Sequence, residues 1–412
     1  MNPTCVYCGL EITPETDSDE HMISEAVGGR RTVRGFLHGP CNNETGRIWD
    51  AELGEQLRSL ALLFSVKRQR GQTPRMPITT TAGEAFLLGP GGGLEMARPE
   101  IRHARTATGE TFQVAAGSVA MARQVLEGKK RKHPGIDVEA TLASAEIRHT
   151  YAQGAVHLDL GFGGEMSGRS LVKSALALAH EAGIPTEKCG DALNYLRGAN
   201  GEPCFGFYYV DDLIAARPAG VPFHCVAVEA TPASGLILGY VEFFGLHRAV
   251  VCLGRRYTGK AARRVYALDP RSGTELKLSV RLNFDETAVA AIYNCERDET
   301  AGREAAFASV FEPVLQAQRE KERDRAIREA IRYAWDNCGA VPDTLLTVAD
   351  FDVMRRLFAD RMAPWLQHAT GCTEESAHRQ AIAFFVQVQR NLLSRHARPS
   401  GKPFSDESIG PT

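Results

Sequence analysis

The stretch that decides the fold of the N-terminal region is FLHGPCNNETG, residues 36–46. It places His38 and Cys41 with two residues between them, about thirty residues after a TCVYCG run that contains Cys5 and Cys8. Two short ligand pairs separated by a loop supply the four N and S ligands that a tetrahedral zinc site requires. We therefore predict that Cys5, Cys8, His38 and Cys41 bind a structural zinc ion.

The composition is that of an ordinary soluble globular protein with two or three domains. The chain has 412 residues, of which 43% are hydrophobic and 24% are charged, and its formal net charge is −2. The N-terminus does not resemble a secretory signal and no apolar run is long enough to span a membrane, so we expect a cytoplasmic protein. Ten cysteines are too few for a disulfide scaffold, and those outside the predicted zinc site are expected to be reduced thiols.

Changes in residue pattern divide the chain into four predicted regions. Residues 1–70 contain the two ligand pairs and a helix with apolar residues at helical spacing. Residues 71–285 carry short strand-like runs broken by Gly and Pro, which predict a mixed α/β domain with a mostly antiparallel sheet, for target recognition or sensing. Residues 286–396 are strongly helical, and residues 397–412 are expected to be a disordered tail. The predicted fold class is α+β.

The loop between the ligand pairs contains polar groups that a zinc-binding ribbon does not need. Glu20 and His21 are adjacent there, and Asn42 directly follows the last predicted zinc ligand. A neutral imidazole suits a general base because its usual pKa lies near physiological pH. Carboxylate and amide oxygens are hard ligands that suit Mg²⁺ or Mn²⁺. Phosphodiester hydrolysis uses both kinds of group, so these three residues are candidates for a catalytic site.

The combined pattern resembles the HNH endonuclease superfamily, and in particular its zinc-stapled ββα-metal branch. The matching runs are Cys5-x-x-Cys8, Glu20-His21-Met22-Ile23, Gly28-Gly29 and His38-x-x-Cys41-Asn42. The resemblance covers residues 5–53 and implies an N-terminal ββα-metal module. In that module His21 would be the general base, while Glu20 and Asn42 would hold a catalytic Mg²⁺ or Mn²⁺ ion.

The same resemblance implies a function and a set of partners. It implies a metal-dependent endonuclease that hydrolyses phosphodiester bonds in nucleic acid, with zinc as a structural ion. Double-stranded DNA is the expected nucleic-acid partner, no membrane is expected, and formation of a homodimer is left open. The target sequence and the biological pathway do not follow from these residues.

The sequence departs from the superfamily pattern in three ways. Ser24 stands where many members have Pro, and Glu20 stands where Asp is common. No Asn lies between residues 29 and 37, where many members have an Asn that orients the base. Another group, such as a backbone carbonyl, must then fix the imidazole of His21. The missing Asn favours the alternative function, a zinc-ribbon nucleic-acid-binding or regulatory protein with a degenerate nuclease site.

Two further groups near the predicted site have two interpretations each. Asp50 shares a helical face with Asn42, and it either anchors a backbone group or an Arg beside the site or belongs to the helix surface. Arg30, Arg31 and Arg34 lie in the loop between the ligand pairs. They either contact flanking phosphates or are simply exposed to solvent.

Two motifs outside the first region also have two interpretations. Residues 163–170, GGEMSGRS, imitate a phosphate-binding loop, but Arg169 replaces the usual Lys. A Gly-rich turn before a helix is the alternative. The KKRK run at residues 129–132 either contacts a nucleic-acid backbone or complements the C-terminal dipole of its own helix.

Overall fold

The computed structural model describes residues 3–106, 109–198, 203–340 and 346–396. The chain divides into two compact units, one formed by Met1–Ala145 with Gln153–Val314 and the other by Glu146–Ala152 with Leu315–Thr412. Helices and antiparallel sheets are both present, which confirms the predicted α+β class. The predicted disordered tail, residues 397–412, lies outside the described residues.

The N-terminal region folds as a short strand pair followed by a helix. Strand β1 (Glu20–His21) pairs antiparallel with β2 (Thr32–Val33). Helix α1 (Gly39–Thr45) has a proline in its first turn, where the missing N–H has no helical partner to lose. A π-helical turn (Gly46–Asp50) joins α1 to the following helices, α2 (Ala51–Gln56) and α3 (Arg58–Leu63).

The loop between β1 and β2 depends on its pair of glycines. Gly28 has a φ of 93°, in the left-handed region that favours glycine. A Cβ atom at Gly29 would lie 1.7 Å from the backbone oxygen of Ile23, so no larger residue fits there. Ser24, which departs from the superfamily pattern, accepts a hydrogen bond from the N–H of Ala26 at 3.3 Å and so caps the turn before the glycines.

Two small sheets and two helices follow. Their strands are β3 (Met76–Thr79), β4 (Ala85–Leu88), β5 (Leu94–Met96), β6 (Glu100–Thr106) and β7 (Gly109–Ala115). The first three form one antiparallel sheet and the last two form a hairpin. Helices α4 (Val119–Lys130) and α5 (Val138–Ala143) begin at capping side chains, Ser118 and Asp137 respectively.

The centre of the first unit is a six-stranded antiparallel sheet. The remaining strands of this unit are β8 (Phe205–Phe207), β9 (Ile214–Ala215), β10 (His224–Thr231), β11 (Leu236–Phe243), β12 (His247–Gly254), β13 (Ala262–Asp269), β14 (Thr274–Leu276) and β15 (Ser279–Val280). The order in the large sheet is β14-β13-β10-β11-β12-β8, and β9 pairs with β15. The mostly antiparallel sheet predicted for this region is therefore present.

Helix α6 (Glu165–Glu181) connects the N-terminal region to this sheet. Its buried residues include Leu171, Val172 and Leu176, and it packs on β10 and β11. The same hydrophobic core contains Ile23 and Trp49 of the N-terminal region. The first region and one face of the sheet thus share a single core, while α7 (Gly190–Leu196) packs beside β12 and α8 (Glu286–Tyr293) lies against β8.

The C-terminal part of the chain is helical, as predicted. It contains α9 (Thr300–Asn337), α10 (Val348–Thr370) and α11 (Glu374–His396). Helix α10 begins at a capping box, in which Thr347 and Asp350 each bond to the backbone of the other. In the second unit the helices enclose a core around Ala330, Phe358 and Met362. Among the described residues, no helix has both the length and the apolar character needed to cross a membrane.

Candidate metal centre and catalytic residues

The four residues predicted to bind zinc form one cluster. The ligand atoms of Cys5, Cys8, His38 and Cys41 all lie within 4.8 Å of one another. In a tetrahedral site with Zn–S bonds of about 2.3 Å, neighbouring ligand atoms lie roughly 3.5–4 Å apart. Three sulfur atoms and one imidazole nitrogen at this spacing fit a structural zinc ion. The cluster is therefore a potential metal site compatible with zinc.

Backbone hydrogen bonds hold the two ligand pairs together. The N–H of Gly9 donates to the carbonyl of Cys5 at 2.9 Å, and the N–H of Cys5 donates to the carbonyl of Leu10 at 2.8 Å. These bonds close a tight turn around the first pair. The N–H of Val6 donates to the carbonyl of Phe36 at 3.1 Å, which joins this turn to the segment before the second pair.

The hydrogen bonds of His38 identify its ligand nitrogen. Its Nε2 lies 2.8 Å from the backbone oxygen of Glu11. A carbonyl oxygen only accepts, so Nε2 carries the hydrogen and Nδ1 carries the lone pair. Nδ1 lies 3.1 Å from the sulfur of Cys8 and faces the cluster. Such a hydrogen bond from the outer nitrogen is the usual way in which a metal-binding imidazole is oriented.

The thiols of the cluster cannot easily ionise together without a cation. Burial and the neighbouring Cys5 thiolate raise the pKa of Cys41 to about 12. Burial would raise the pKa of Cys5 as well, but the backbone N–H groups of Cys8 and His38 outweigh it and lower that pKa. Metal ligation needs deprotonated sulfur, and a divalent cation removes the repulsion between thiolates.

Glu20 lies inside the protein and is paired with a lysine. Its side chain and that of Lys173 in α6 are each 2% exposed, and the Nζ–Oε1 distance is 2.6 Å. The two side chains form a buried ion pair. Lys173 Nζ also donates to Asp50 Oδ2 at 2.7 Å, and Ser170 Oγ donates to Asp50 Oδ1 at 2.5 Å. We call Glu20, Asp50, Ser170 and Lys173 the buried polar cluster.

The buried polar cluster keeps its lysine charged. Burial lowers the pKa of a lysine, but the carboxylates of Asp50 and Glu20 reverse this effect and raise the pKa of Lys173 above its usual value. Burial also raises the pKa of Glu20, and Lys173 opposes that rise. Of the two interpretations of Asp50, helix surface does not hold, because its carboxylate binds Lys173 and Ser170 of α6 rather than a backbone group or an Arg.

His21 and Asn42 contact other neighbours. Successive residues of a strand point to opposite faces, so His21 is partly exposed where Glu20 is buried. His21 Nε2 lies 3.0 Å from Oε1 of Gln69. Asn42 donates from Nδ2 to Ser18 Oγ and to the backbone oxygen of Asp19, both at 3.2 Å. The catalytic roles of Glu20, His21 and Asn42 stay predictions.

The loop arginines have partners within the chain. Arg30 donates to the backbone oxygen of Lys67, Arg31 pairs with Glu181 and Glu275, and Arg34 pairs with Asp17. Arg31 also lies over the ring of Tyr266, 4.7 Å from its centroid. The contacts of Arg30 and Arg31 fasten the loop between β1 and β2 to other segments of the first unit. Arg34 follows β2 and pairs within the N-terminal region. The side chain of Arg34 is still 63% exposed, so it is the loop arginine most accessible to a phosphate.

Two of the residues around the site were not identified from the sequence. Lys173 lies in the apolar run SLVKSALALAH, and a single charge on such a helix is a signal of a buried ion pair. Lys173 follows residues 163–170, which resemble a phosphate-binding loop. In that stretch Arg169 forms an ion pair with Glu165, one helical turn earlier, at 2.7 Å. Gln69 carries no comparable signal, because an exposed glutamine among basic residues has no pattern that predicts a contact with His21.

No protein-family model matches the chain, and neither curated proteins nor solved structures contain a match.

Proposed function

We propose that the chain is an HNH-type endonuclease that hydrolyses phosphodiester bonds in nucleic acid, with double-stranded DNA as the expected substrate. The observation that carries the proposal is the order β1, β2 and α1 around the cluster of Cys5, Cys8, His38 and Cys41. In this frame His21 ends β1 and is partly exposed, where a substrate can reach it. The motifs quoted from the sequence support the same proposal.

His21 is the proposed general base. It would remove a proton from the water that attacks the phosphorus atom, a task worth about 10²–10⁴ in rate for a well-placed side chain. A zinc ion held by Cys5, Cys8, His38 and Cys41 would supply stability rather than chemistry, because four protein ligands would leave no open position for a substrate. The pairing of β1 with β2 and the ion pairs of Arg31 beside β2 hold the strand that carries His21.

A divalent cation belongs to the proposal, but the residues present fit it only in part. The carboxylate of Glu20 already forms an ion pair with the ammonium of Lys173, so it can bind Mg²⁺ or Mn²⁺ only if this ion pair opens. Asn42 uses its amide nitrogen in its hydrogen bonds to Ser18 and Asp19, and its carbonyl oxygen takes no part in them. When bound, the cation would stabilise charge on the phosphate and the leaving oxygen.

The test is a nicking assay with supercoiled plasmid DNA. Wild type, His21→Ala and His133→Ala are incubated with Mg²⁺, with Mn²⁺ and with a chelator that removes both. His133 is an exposed histidine outside the N-terminal region and serves as the matched control. We expect nicking by wild type and the control only with a divalent cation, and a loss of about 10²-fold or more in His21→Ala. Equal nicking by wild type and His21→Ala would overturn the proposal.

One observation favours a second function. A lysine occupies the position next to Glu20 where the resemblance implies a catalytic cation. This arrangement suits a zinc-stabilised nucleic-acid-binding or regulatory protein whose nuclease site is degenerate. Such a protein would shift DNA in a gel, bind less tightly as salt is raised, and never cut the bound DNA with any divalent cation.

A further inference from the structure

We propose that Gln69 is the positioning residue of His21, in place of the Asn that the loop between β1 and β2 lacks. The inference rests on the proposed function, since it concerns the general base of that reaction. Gln69 lies 48 positions from His21 in the sequence, yet its Oε1 is 3.0 Å from the imidazole Nε2. It would act through His21 and would not itself touch the substrate.

The orientation of the Gln69 amide follows from its second contact. Its Nε2 donates to the backbone oxygen of Arg30 at 3.4 Å. A backbone carbonyl accepts hydrogen bonds and cannot donate them, so the amide nitrogen has to face Arg30. The amide oxygen is then left to face His21. The two contacts together distinguish this orientation from the flipped amide.

This orientation determines the tautomer of His21. An amide oxygen only accepts, so the Nε2 of a neutral imidazole next to it has to carry the hydrogen. Nδ1 then carries the lone pair and is the atom that can take a proton from water. The hydrogen bond also limits rotation of the ring. Gln69 therefore has both effects that the missing Asn would have. It selects the tautomer of His21 and orients the imidazole ring.

The backbone around Gln69 is held on both sides by one carboxylate. Glu25, in the turn after β1, accepts a hydrogen bond from Arg68 Nη2 at 2.8 Å and from the N–H of Arg70 at 2.9 Å. Lys67, which precedes Arg68, is fixed as well, because its backbone oxygen accepts a hydrogen bond from Arg30 at 2.6 Å. An exposed glutamine thus extends from a constrained backbone segment, which favours a defined contact with His21.

The sharpest test measures the tautomer and the activity in the same variants. Gln69→Leu removes the acceptor at similar size, Gln69→Glu keeps an acceptor oxygen at the same reach, and Gln72→Leu is the matched control at an exposed position nearby. The ¹⁵N shifts of histidine-labelled protein report which nitrogen of His21 carries the hydrogen, and His21→Ala identifies the signal. Nicking of plasmid DNA gives kcat and KM.

We expect wild type, Gln69→Glu and Gln72→Leu to show His21 with the hydrogen on Nε2. In Gln69→Leu we expect a mixture of tautomers and a kcat lower by about 10- to 100-fold, with KM nearly unchanged. Unchanged ¹⁵N shifts in Gln69→Leu would overturn the role of Gln69, whether or not the protein cuts DNA. Equal nicking by wild type and His21→Ala would instead remove the proposed function, so the two failures are distinguishable.

Discussion

The ammonium of Lys173 lies 2.6 Å from Glu20 and 2.7 Å from Asp50, although its side chain is only 2% exposed. Glu20 belongs to β1, Asp50 ends the π-helical turn, and Lys173 lies in the middle of α6. One buried charge therefore connects three segments that are distant in the sequence. Because His21 directly follows Glu20, the position of the proposed base depends on this connection.

The first prediction is that Lys173→Met destabilises the protein by about 3–5 kcal/mol, since it leaves two largely buried carboxylates without their cation. The free energy of unfolding in urea measures this loss. Lys188→Met is the control, because Lys188 is exposed and its replacement should change the free energy of unfolding by no more than about 0.5 kcal/mol. Equal unfolding free energies for Lys173→Met and Lys188→Met would contradict the prediction.

A double variant distinguishes the cost of leaving buried carboxylates unpaired from the cost of losing the packing of the lysine side chain. Glu20→Gln combined with Lys173→Met removes one buried carboxylate along with the ammonium. We expect the double variant to be more stable than Lys173→Met alone, because interacting charges are not additive. A double variant that is less stable by the sum of the two single losses would show that the two side chains do not interact.

The second prediction concerns zinc. We expect about one zinc ion per chain in purified protein, and a loss of most of it in Cys41→Ser, because four ligands are needed to close a structural site. Elemental analysis after extensive dialysis measures the zinc content. Cys295→Ser is the control, since Cys295 is an exposed cysteine outside the cluster. Zinc content that is the same in Cys41→Ser and in wild type would exclude the cluster as the metal site.

The third prediction tests why the loop contains a GG pair. A Cβ at Gly29 would lie 1.7 Å from the backbone oxygen of Ile23, so Gly29→Ala has to displace backbone. We expect a loss of stability above about 1 kcal/mol, measured by urea unfolding. Gly46→Ala is the control, because nothing lies within 4 Å of a Cβ there and the residue has helical dihedrals. It should leave stability unchanged or raise it by about 0.5–1 kcal/mol. A loss in Gly46→Ala as large as that in Gly29→Ala would refute this explanation.

Much of the metal cluster could be predicted from the sequence, for a physical reason. Zinc ligands in short pairs are close in the chain, so the spacing of Cys5, Cys8, His38 and Cys41 already restricts their geometry. The periodicity of apolar residues similarly predicted an α+β fold with an antiparallel sheet and C-terminal helices. These features depend on local pattern.

The polar contacts of the site could not be predicted in the same way. Lys173 and Gln69 reach Glu20 and His21 from segments that tertiary packing brings close. The lone charge of Lys173 in an apolar helix is a signal of a buried ion pair, but the sequence does not indicate which carboxylates are its partners. The strand alternation that buries Glu20 and leaves His21 partly exposed was available from the sequence. The identity of the cation that pairs with Glu20 was not available from the sequence. The resemblance implied a divalent ion at Glu20, whereas the chain provides a lysine there.

The last prediction is a pH dependence that comes from His224, the first residue of β10. It is fully buried; its Nε2 donates to the backbone oxygen of Val27 at 2.8 Å and its Nδ1 accepts from the N–H of Phe244 at 3.1 Å. Both nitrogens are thus used by the neutral ring. Burial lowers the pKa of His224 from 6.5 to about 4. The unfolded chain therefore binds a proton between these values while the folded chain does not, and stability falls as pH falls through this range.

The size of this effect can be isolated by comparison with a variant. His224→Gln keeps one donor and one acceptor but does not titrate. Between pH 7 and pH 5 we expect wild type to lose about 2 kcal/mol more than His224→Gln, because each unit of pKa difference corresponds to about 1.4 kcal/mol. Urea unfolding at the two pH values measures both losses. Other titrating groups, including the buried His247, contribute equally to the two proteins and cancel. Equal losses would mean that His224 can accept a proton without breaking its bond to Phe244, which its two hydrogen bonds argue against.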